Sequence, residues 1–152
     1  MMLPAGPLRA LSIRQPWAMS IVQGTKRIEN RGWDTRFRGP FLIHAAKGMT
    51  RDELFGWGDM IKGEDISWPG LRGRVWKPGD FERGGIIGAA QLVGVIRSPD
   101  EATADQHPWF FGPFGFVLAG VKAIPLIPCR GALGFFRPEP AIEQEARRRL
   151  AA

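Results

Sequence analysis

Glycine and proline interrupt this chain at short intervals, and this feature limits its fold more than any other. There are 20 Gly and 13 Pro among 152 residues, about a fifth of the chain. They follow no repeat, so they predict frequent turns between short strands rather than a bundle of long helices. A chain of this length is one domain by default. It buries about 68–70% of its unfolded surface, which is enough core without a disulfide or a structural metal.

Hydrophobic periodicity predicts short elements between these breaks. In the first half, Pro16 suits the first turn of a helix and Thr50 suits an N-cap. The predicted elements there are strands at 10–14, 26–31 and 41–46 and helices at 16–23 and 49–61. A long loop is predicted at 63–85, where Trp68 and Trp76 are candidates for a lid.

The second half is predicted to contain more strands and one terminal helix. The predicted elements are a strand at 86–96, a strand pair over 114–127 bending near Gly120, a strand at 131–136 and a helix at 138–150. Five to seven strands with two or three helices predict an α+β fold. The regular spacing of turns favours a small twisted β-barrel with peripheral helices.

The net charge of +6 lies entirely in the first third of the chain. Residues 1–50 contain eight basic and two acidic side chains, whereas residues 51–152 contain 13 of each. A basic segment of this kind indicates a phosphate-bearing partner. A solvated basic surface is the alternative.

Several classes of protein are excluded by what the sequence lacks. Cys129 is the only cysteine, which rules out an intramolecular disulfide framework and a cysteine-rich zinc site. No apolar run approaches the roughly 18 residues of a membrane span, and the first ten residues have no signal-peptide core. Two distant histidines and no phosphate-loop motif predict neither a metal nor a cofactor. The expected location is the cytoplasm, and the expected state is a monomer.

The segment Gly24–Arg31 contains several charged residues, some of them at alternating positions. Glu29 and Arg31 point to one face of their predicted strand, because side chains alternate along a strand. Lys26 lies at the start of that strand. A converging Lys, Glu and Arg would bind a phosphate or a polar base edge. The alternative is a Glu29–Arg31 ion pair on the barrel surface.

The same segment carries a family motif. Gly24, Lys26, Glu29 and Arg31 reproduce the pattern G-x-K-x-x-E-x-R. The segments LSIRQPW from Leu11, RGPFLIHAAK from Arg38 and RGALGFF from Arg130 accompany it in order, with further matches at 83–95 and 114–118. The chain thus resembles the ASCH (activating signal cointegrator homology) domain over roughly residues 8–137.

The resemblance implies a PUA-like small β-barrel with a short helix after the first strand and a cleft beside that helix. The domain is expected at 9–137, with a disordered tail at 1–8 before it and a C-terminal helix at 138–152 that packs on the domain or extends from it. The superfamily is associated with RNA binding and RNA modification.

Together these observations predict a nucleic-acid-binding module, with RNA as the partner, that uses a basic cleft. Trp17 is expected to stack a base, with Trp33 as a second aromatic candidate, and Glu29 is expected to accept from a base edge. His44 is either a polar group of the cleft or a hydrogen-bonded core residue. The predicted ligand contacts are Arg14, Gln15, Trp17, Lys26, Glu29, Arg31, Arg36, Arg38, His44 and Lys47.

Two other functions remain open at this stage. One branch similar to this family hydrolyses N4-acetylcytidine-like amides with a Lys and a Thr three residues later. Here Glu29 occupies that position, so a hydrolase acting on a modified nucleoside or on RNA would need Lys26 and Glu29 to activate water. A protein-interaction adaptor is the other alternative, and it predicts an exposed apolar patch around Trp57–Trp76.

Overall fold

A computed structural model describes residues 1–63 and 75–152, which contain six strands and three α-helices. The strands are β1 (Ala10–Ile13), β2 (Ile28–Arg31), β3 (Gly39–Ala45), β4 (Gly85–Ile96), β5 (Phe114–Pro128) and β6 (Phe135–Phe136). The helices are α1 (Trp17–Val22), α2 (Arg51–Ile61) and α3 (Pro140–Ala151). The predicted α+β class, the number of strands and the short helix after the first strand are confirmed.

All six strands join one mixed sheet in the order β2-β5-β4-β3-β1-β6. β1 and β3 are parallel, and the other neighbours are antiparallel. Parallel neighbours need a crossover connection, and the chain from β1 to β3 supplies it through α1 and β2. The crossover therefore carries the segment that holds the family motif.

The predicted strand pair at 114–127 is wrong, because β5 is one continuous strand of 15 residues. Gly120 has a φ of +57° and lies at a register shift between β5 and β4. A glycine in this conformation allows a bulge that bends a strand without reversing it. β5 therefore pairs with β4 along its length and still offers its first residues to β2.

The sheet is rolled into a half-barrel. Phe116 on β5 and Phe135 on β6 stack with their ring centroids 6.3 Å apart, although three strands separate β5 from β6 in the sheet. Trp33 packs edge-on against both rings. The concave face thus encloses an apolar core, while α3 covers the convex face through Ala146 and Leu150.

Helices α1 and α2 form a third apolar cluster beside the sheet. Trp57 of α2 is fully buried and donates a hydrogen bond from Nε1 to the Ser20 hydroxyl of α1, at 2.8 Å. Trp76 packs edge-on against Trp57 and also contacts Phe81. Trp57 is therefore a core residue and Trp76 is half-buried against it, whereas Val75 is exposed; residues 64–74 of the apolar patch that an adaptor function predicts lie outside the described residues. Trp68, the other lid candidate, lies outside the described residues.

The chain termini meet at α3. Leu8 is buried and its backbone N–H donates to the Glu143 carboxylate, at 3.2 Å. Arg147 donates to the carbonyl oxygens of Pro4 and Gly6. Residues 1–8, expected as a disordered tail, thus contact the C-terminal helix. In the described part of the chain, no helix is long and apolar enough to cross a membrane.

Candidate nucleic-acid interface

Lys26, Glu29 and Arg31 converge at β2, and we call them the signature cluster. The Lys26 ammonium lies 3.2 Å from Glu29 Oε1 and also donates to the Ile28 carbonyl. Arg31 contacts Glu29 Oε2 through Nη2 at 2.8 Å and through Nε at 3.0 Å. Two cations therefore share one carboxylate, which leaves the cluster with a formal charge of +1.

The cluster is buried, which the sequence did not indicate. Lys26 is 1% exposed, Glu29 6%, and the Arg31 side chain 19%. The strand was predicted to begin at Lys26, but β2 begins at Ile28, so Lys26 lies in the turn before it. The Lys26 backbone N–H donates to the Ser20 carbonyl in the last turn of α1. The turn directs its side chain inward. Desolvation lowers the pKa of the Lys26 ammonium, although the Glu29 carboxylate opposes the shift.

Arg31 joins two strands that are not neighbours in the sheet. Its Nη2 donates to the Ser12 carbonyl of β1 at 2.7 Å. That carbonyl lies on the edge of β1 facing β6, but β6 pairs only with Ala10 and Leu11. The guanidinium therefore binds β1 where β6 ends, and it ties the edge strand β2 to β1 across the mouth of the half-barrel.

Trp17 borders the signature cluster at the start of α1. Its ring is half-buried, and the centroid lies 5.9 Å from Lys26 Nζ. Phe111 packs against it with centroids 5.7 Å apart and ring planes at 68°. The predicted meeting of an aromatic ring with the motif charges is thus present in the structure.

Arg14 and Gln15 follow β1 but have different environments. Arg14 is exposed and forms a two-point ion pair with Glu53, at 2.6 and 2.7 Å. The guanidinium, helped by hydrogen bonds from the Thr50 cap, lowers the pKa of Glu53 to about 2. Gln15 is fully buried, and its amide binds the Met19 N–H and the Glu82 carbonyl. The predicted ligand contact at Gln15 is therefore replaced by a structural one.

The inner apolar core lies against one face of β1 and β3, and His44 lies on the opposite face. It is 2% exposed and contacts Phe136, and its ring nitrogens lie 2.9 Å from the Ser12 hydroxyl and the Cys129 carbonyl. Burial lowers the pKa of its imidazole. The alternation that put His44 with Leu42 was correct, and that face is covered by α3. His44 is a core residue here and does not line a cleft.

The exposed cations among the predicted ligand contacts divide between the two ends of β3. Arg36 and Arg38 precede the strand, whereas Lys47 follows it, as Arg14 follows the parallel β1. Seven residues of strand separate the two groups by roughly 20 Å. The predicted single basic cleft is therefore replaced by two exposed basic groups. The extended strand β3 separates residues that are close in the sequence.

Two residues of this region, Phe111 and Asn30, are not predicted as site residues by the sequence. Phe111 lies in the short segment before the strand predicted from residue 114, where no periodic pattern marks its ring as a neighbour of Trp17. Asn30 lies between the motif residues and binds the loop that carries Phe111, through Trp109, Phe111 and Gly112. An asparagine inside a charged strand was the available signal, since this residue type favours turns and loops over strands.

A metal site is not formed by the residues that the structure describes. Among residues 1–63 and 75–152, no three His, Cys, Asp or Glu side chains are grouped as ligands. The chemistry of this region is that of hydrogen-bond donors, ion pairs and aromatic faces.

The rolled mixed sheet, with α1 inserted after β1 and a buried Lys-Glu-Arg cluster on its edge strand, defines an α+β half-barrel domain. The chain belongs to the ASCH domain family, whose model matches residues 11–124. The resemblance seen in the motif is thereby confirmed, and the family is generally associated with RNA binding.

Curated relatives are longer proteins. The chain is 26% identical over 147 residues to human Activating signal cointegrator 1, which covers 92% of this chain and 24% of the relative. It is 33% identical over 91 residues to the mouse protein, which covers 57% of this chain and 14% of the relative. The chain thus spans about a quarter or less of the length of these relatives.

Crystal structures of two variants of ZmASCH from Zymomonas mobilis are also similar. They share 14% and 15% identity with this chain at a TM-score of 0.49 in both cases. The aligned regions cover 92% and 94% of this chain and 96% of each ZmASCH chain.

Proposed function

We propose that this protein binds single-stranded RNA at the surface where Trp17 meets the signature cluster. The observation that carries the proposal is the half-buried Trp17 ring, whose centroid lies 5.9 Å from Lys26 Nζ within a cluster of formal charge +1. An aromatic face beside positive charge suits a base and its phosphate. RNA is favoured because its single strands offer unstacked bases.

The burial of the cluster decides how its members would act on RNA. Lys26 is too deeply buried to touch a phosphate, so its role is to support the local positive potential. Arg31 is the most exposed member and is the phosphate ligand within the cluster. Arg14 and Lys47, beyond the same ends of β1 and β3, extend the contact, and Arg36 and Arg38 supply a second one.

Salt-dependent binding tests this proposal with a matched pair of variants. Arg14 and Arg148 are both exposed and each forms a two-point ion pair with a glutamate, Glu53 or Glu145. Arg148 lies on α3, away from the motif. We expect affinity for a short single-stranded RNA to fall as salt rises, because phosphate contacts release counterions.

The variants then locate the contact. Arg14→Gln should reduce the slope of log K against log salt by about 0.7, the value for one phosphate contact on a single strand. Arg148→Gln should leave the slope unchanged. Binding that does not depend on salt, or equal loss in both variants, would contradict the proposal.

Hydrolysis is a second candidate function, in which the buried Lys26 activates a water molecule and does not itself touch the substrate, and one observation favours it. Desolvation lowers the pKa of the Lys26 ammonium, and lysines tuned in this way are suited to acid–base chemistry. Glu29 is the adjacent carboxylate, at 3.2 Å. The test is incubation with N4-acetylcytidine and with single-stranded RNA, with and without a divalent cation. Product that forms with the unaltered protein but not with Lys26→Met supports hydrolysis, whereas no product leaves binding alone.

A further inference from the structure

Phe111 is an exposed aromatic residue held in a fixed position. Its side chain is 58% exposed, although Trp109 is buried and the ring of Phe110 is half-buried. The Phe110 ring lies close against Gly115, where an added Cβ would approach it to 2.8 Å. The two neighbouring aromatic residues thus anchor the loop in the protein, and Phe111 projects from it.

Asn30 of β2 fixes the backbone of this loop with three hydrogen bonds. Its Oδ1 accepts from the Phe111 N–H at 2.8 Å and from the Gly112 N–H at 3.1 Å, and its Nδ2 donates to the Trp109 carbonyl at 2.9 Å. Asn30 lies between Glu29 and Arg31 on the same short strand. One strand therefore supplies two members of the signature cluster and the residue that places Phe111.

Phe111 and Trp17 together form what we call the aromatic corner. Their centroids are 5.7 Å apart and their ring planes meet at 68°, so the edge of one ring meets the face of the other. A flat molecule can lie on one ring with its edge against the second. The Trp17 side of the corner borders the Lys26 ammonium.

We propose that the aromatic corner is a subsite for one unpaired nucleobase of a single-stranded nucleic acid, in which Phe111 supplies the stacking face. Asn30 acts as a positioning residue through the loop. This inference rests on the proposed RNA binding and makes it specific, because a base inside a duplex is stacked on its neighbours and is not available to the corner. It also assigns a role to an exposed ring that the motif does not contain.

The test uses a short single-stranded RNA with one central 2-aminopurine, whose fluorescence is quenched when it stacks. Phe111→Leu keeps an apolar side chain of similar size but removes the aromatic face. Phe55→Leu is the matched control, since Phe55 on α2 is 63% exposed and lies outside the corner. We expect Phe111→Leu to lose about tenfold in affinity together with the quenching, as expected for loss of one stacked base. Phe55→Leu should behave as the unaltered protein, and Phe111→Trp should retain binding and quenching.

Asn30 is tested by two substitutions. Asn30→Ala removes all three bonds and should lose the quenching, whereas Asn30→Asp keeps the acceptor for the two N–H groups and should restore most of it. Melting temperatures are measured in parallel to detect a general loss of stability. A loss of stability alone would not change the quenching by the protein that remains folded.

The outcomes separate the inference from the proposed function. RNA binding that Phe111→Leu leaves unchanged in affinity and quenching would overturn the subsite but not RNA binding. Equal affinity for a duplex and for the single strand would also overturn it. Failure of the unaltered protein to bind single-stranded RNA would overturn both. Equal binding of single-stranded DNA would keep the subsite and widen its ligand.

Discussion

Glu29 and Glu53 each pair with an arginine, yet their surroundings differ. Glu53 is at the surface, where Arg14 and the Thr50 cap hold it at the first turn of α2. Glu29 is 6% exposed and binds Lys26 and Arg31 inside the protein. Both are ion pairs between an arginine and a glutamate, but water screens the Arg14–Glu53 pair and is largely excluded from the Arg31–Glu29 pair.

The comparison shows that burial decides what such a pair does. The Arg14–Glu53 pair adds to a helix start that the Thr50 capping box already stabilises. The signature cluster instead connects the edge strand β2 to β1, although three other strands lie between these two in the sheet. A motif of charged residues therefore has a structural role in addition to any ligand role.

Removing the buried carboxylate should have the largest effect. Glu29→Gln leaves two cations facing a neutral amide in a site with little water. We expect a loss of about 3–5 kcal/mol in the free energy of unfolding, as for other buried pairs that lose one partner. Urea denaturation followed by circular dichroism measures it. A loss no larger than that of Glu53→Gln would show that burial does not separate the two sites.

Changing the shape of the buried cation should have an intermediate effect. Arg31→Lys keeps the charge, but one ammonium cannot reproduce the fork that reaches both Glu29 and the Ser12 carbonyl. We expect a loss of about 1.5–3 kcal/mol, the range for a hydrogen bond to a charged group. Arg148→Lys on the exposed face of α3 is the control and should change stability little. Equal stability of Arg31→Lys and the unaltered protein would argue against the bond between β2 and β1.

The exposed pair should have the smallest effect. Glu53→Gln removes the ion pair to Arg14 and weakens the capping box, and we expect a loss of about 1 kcal/mol at neutral pH. Urea denaturation again measures the change. A loss as large as that for Glu29→Gln would remove the distinction between the two sites.

The pH dependence sharpens this third prediction. The pKa of Glu53 is about 2 in the folded protein, below its ordinary 4.5. The contribution of this carboxylate is therefore present above about pH 4.5 and is lost as the pH falls toward 2. The stability difference between the unaltered protein and Glu53→Gln should shrink over that range. A difference that stays constant from about pH 6 to pH 3 would contradict the assigned pKa shift.

Local patterns predicted most of the elements but not that β5 is one continuous strand. Pro16 and Thr50 marked helix starts that the structure contains, because capping and proline geometry act within a few residues. The strand pair expected at 114–127 was wrong because a turn and a glycine bulge have the same local signal.

The candidate site was predicted only in part. Alternation along β2 correctly placed Glu29 with Arg31, since it depends on one strand. It could not show that Lys26 turns inward after α1, that His44 is buried against Phe136 or that Phe111 meets Trp17. Each of these depends on how distant segments pack.

The sequence by itself determined most of the strands and helices, the excess of positive charge in the first fifty residues and the family motif. Those properties follow from residue type and short-range spacing. Only the tertiary structure decided that the motif charges are buried, that the exposed cations lie in two groups and that an aromatic corner borders the cluster. There are two physical reasons: the roll of the sheet brings β2 against β1, and the extended backbone of β3 holds the two ends of that strand roughly 20 Å apart.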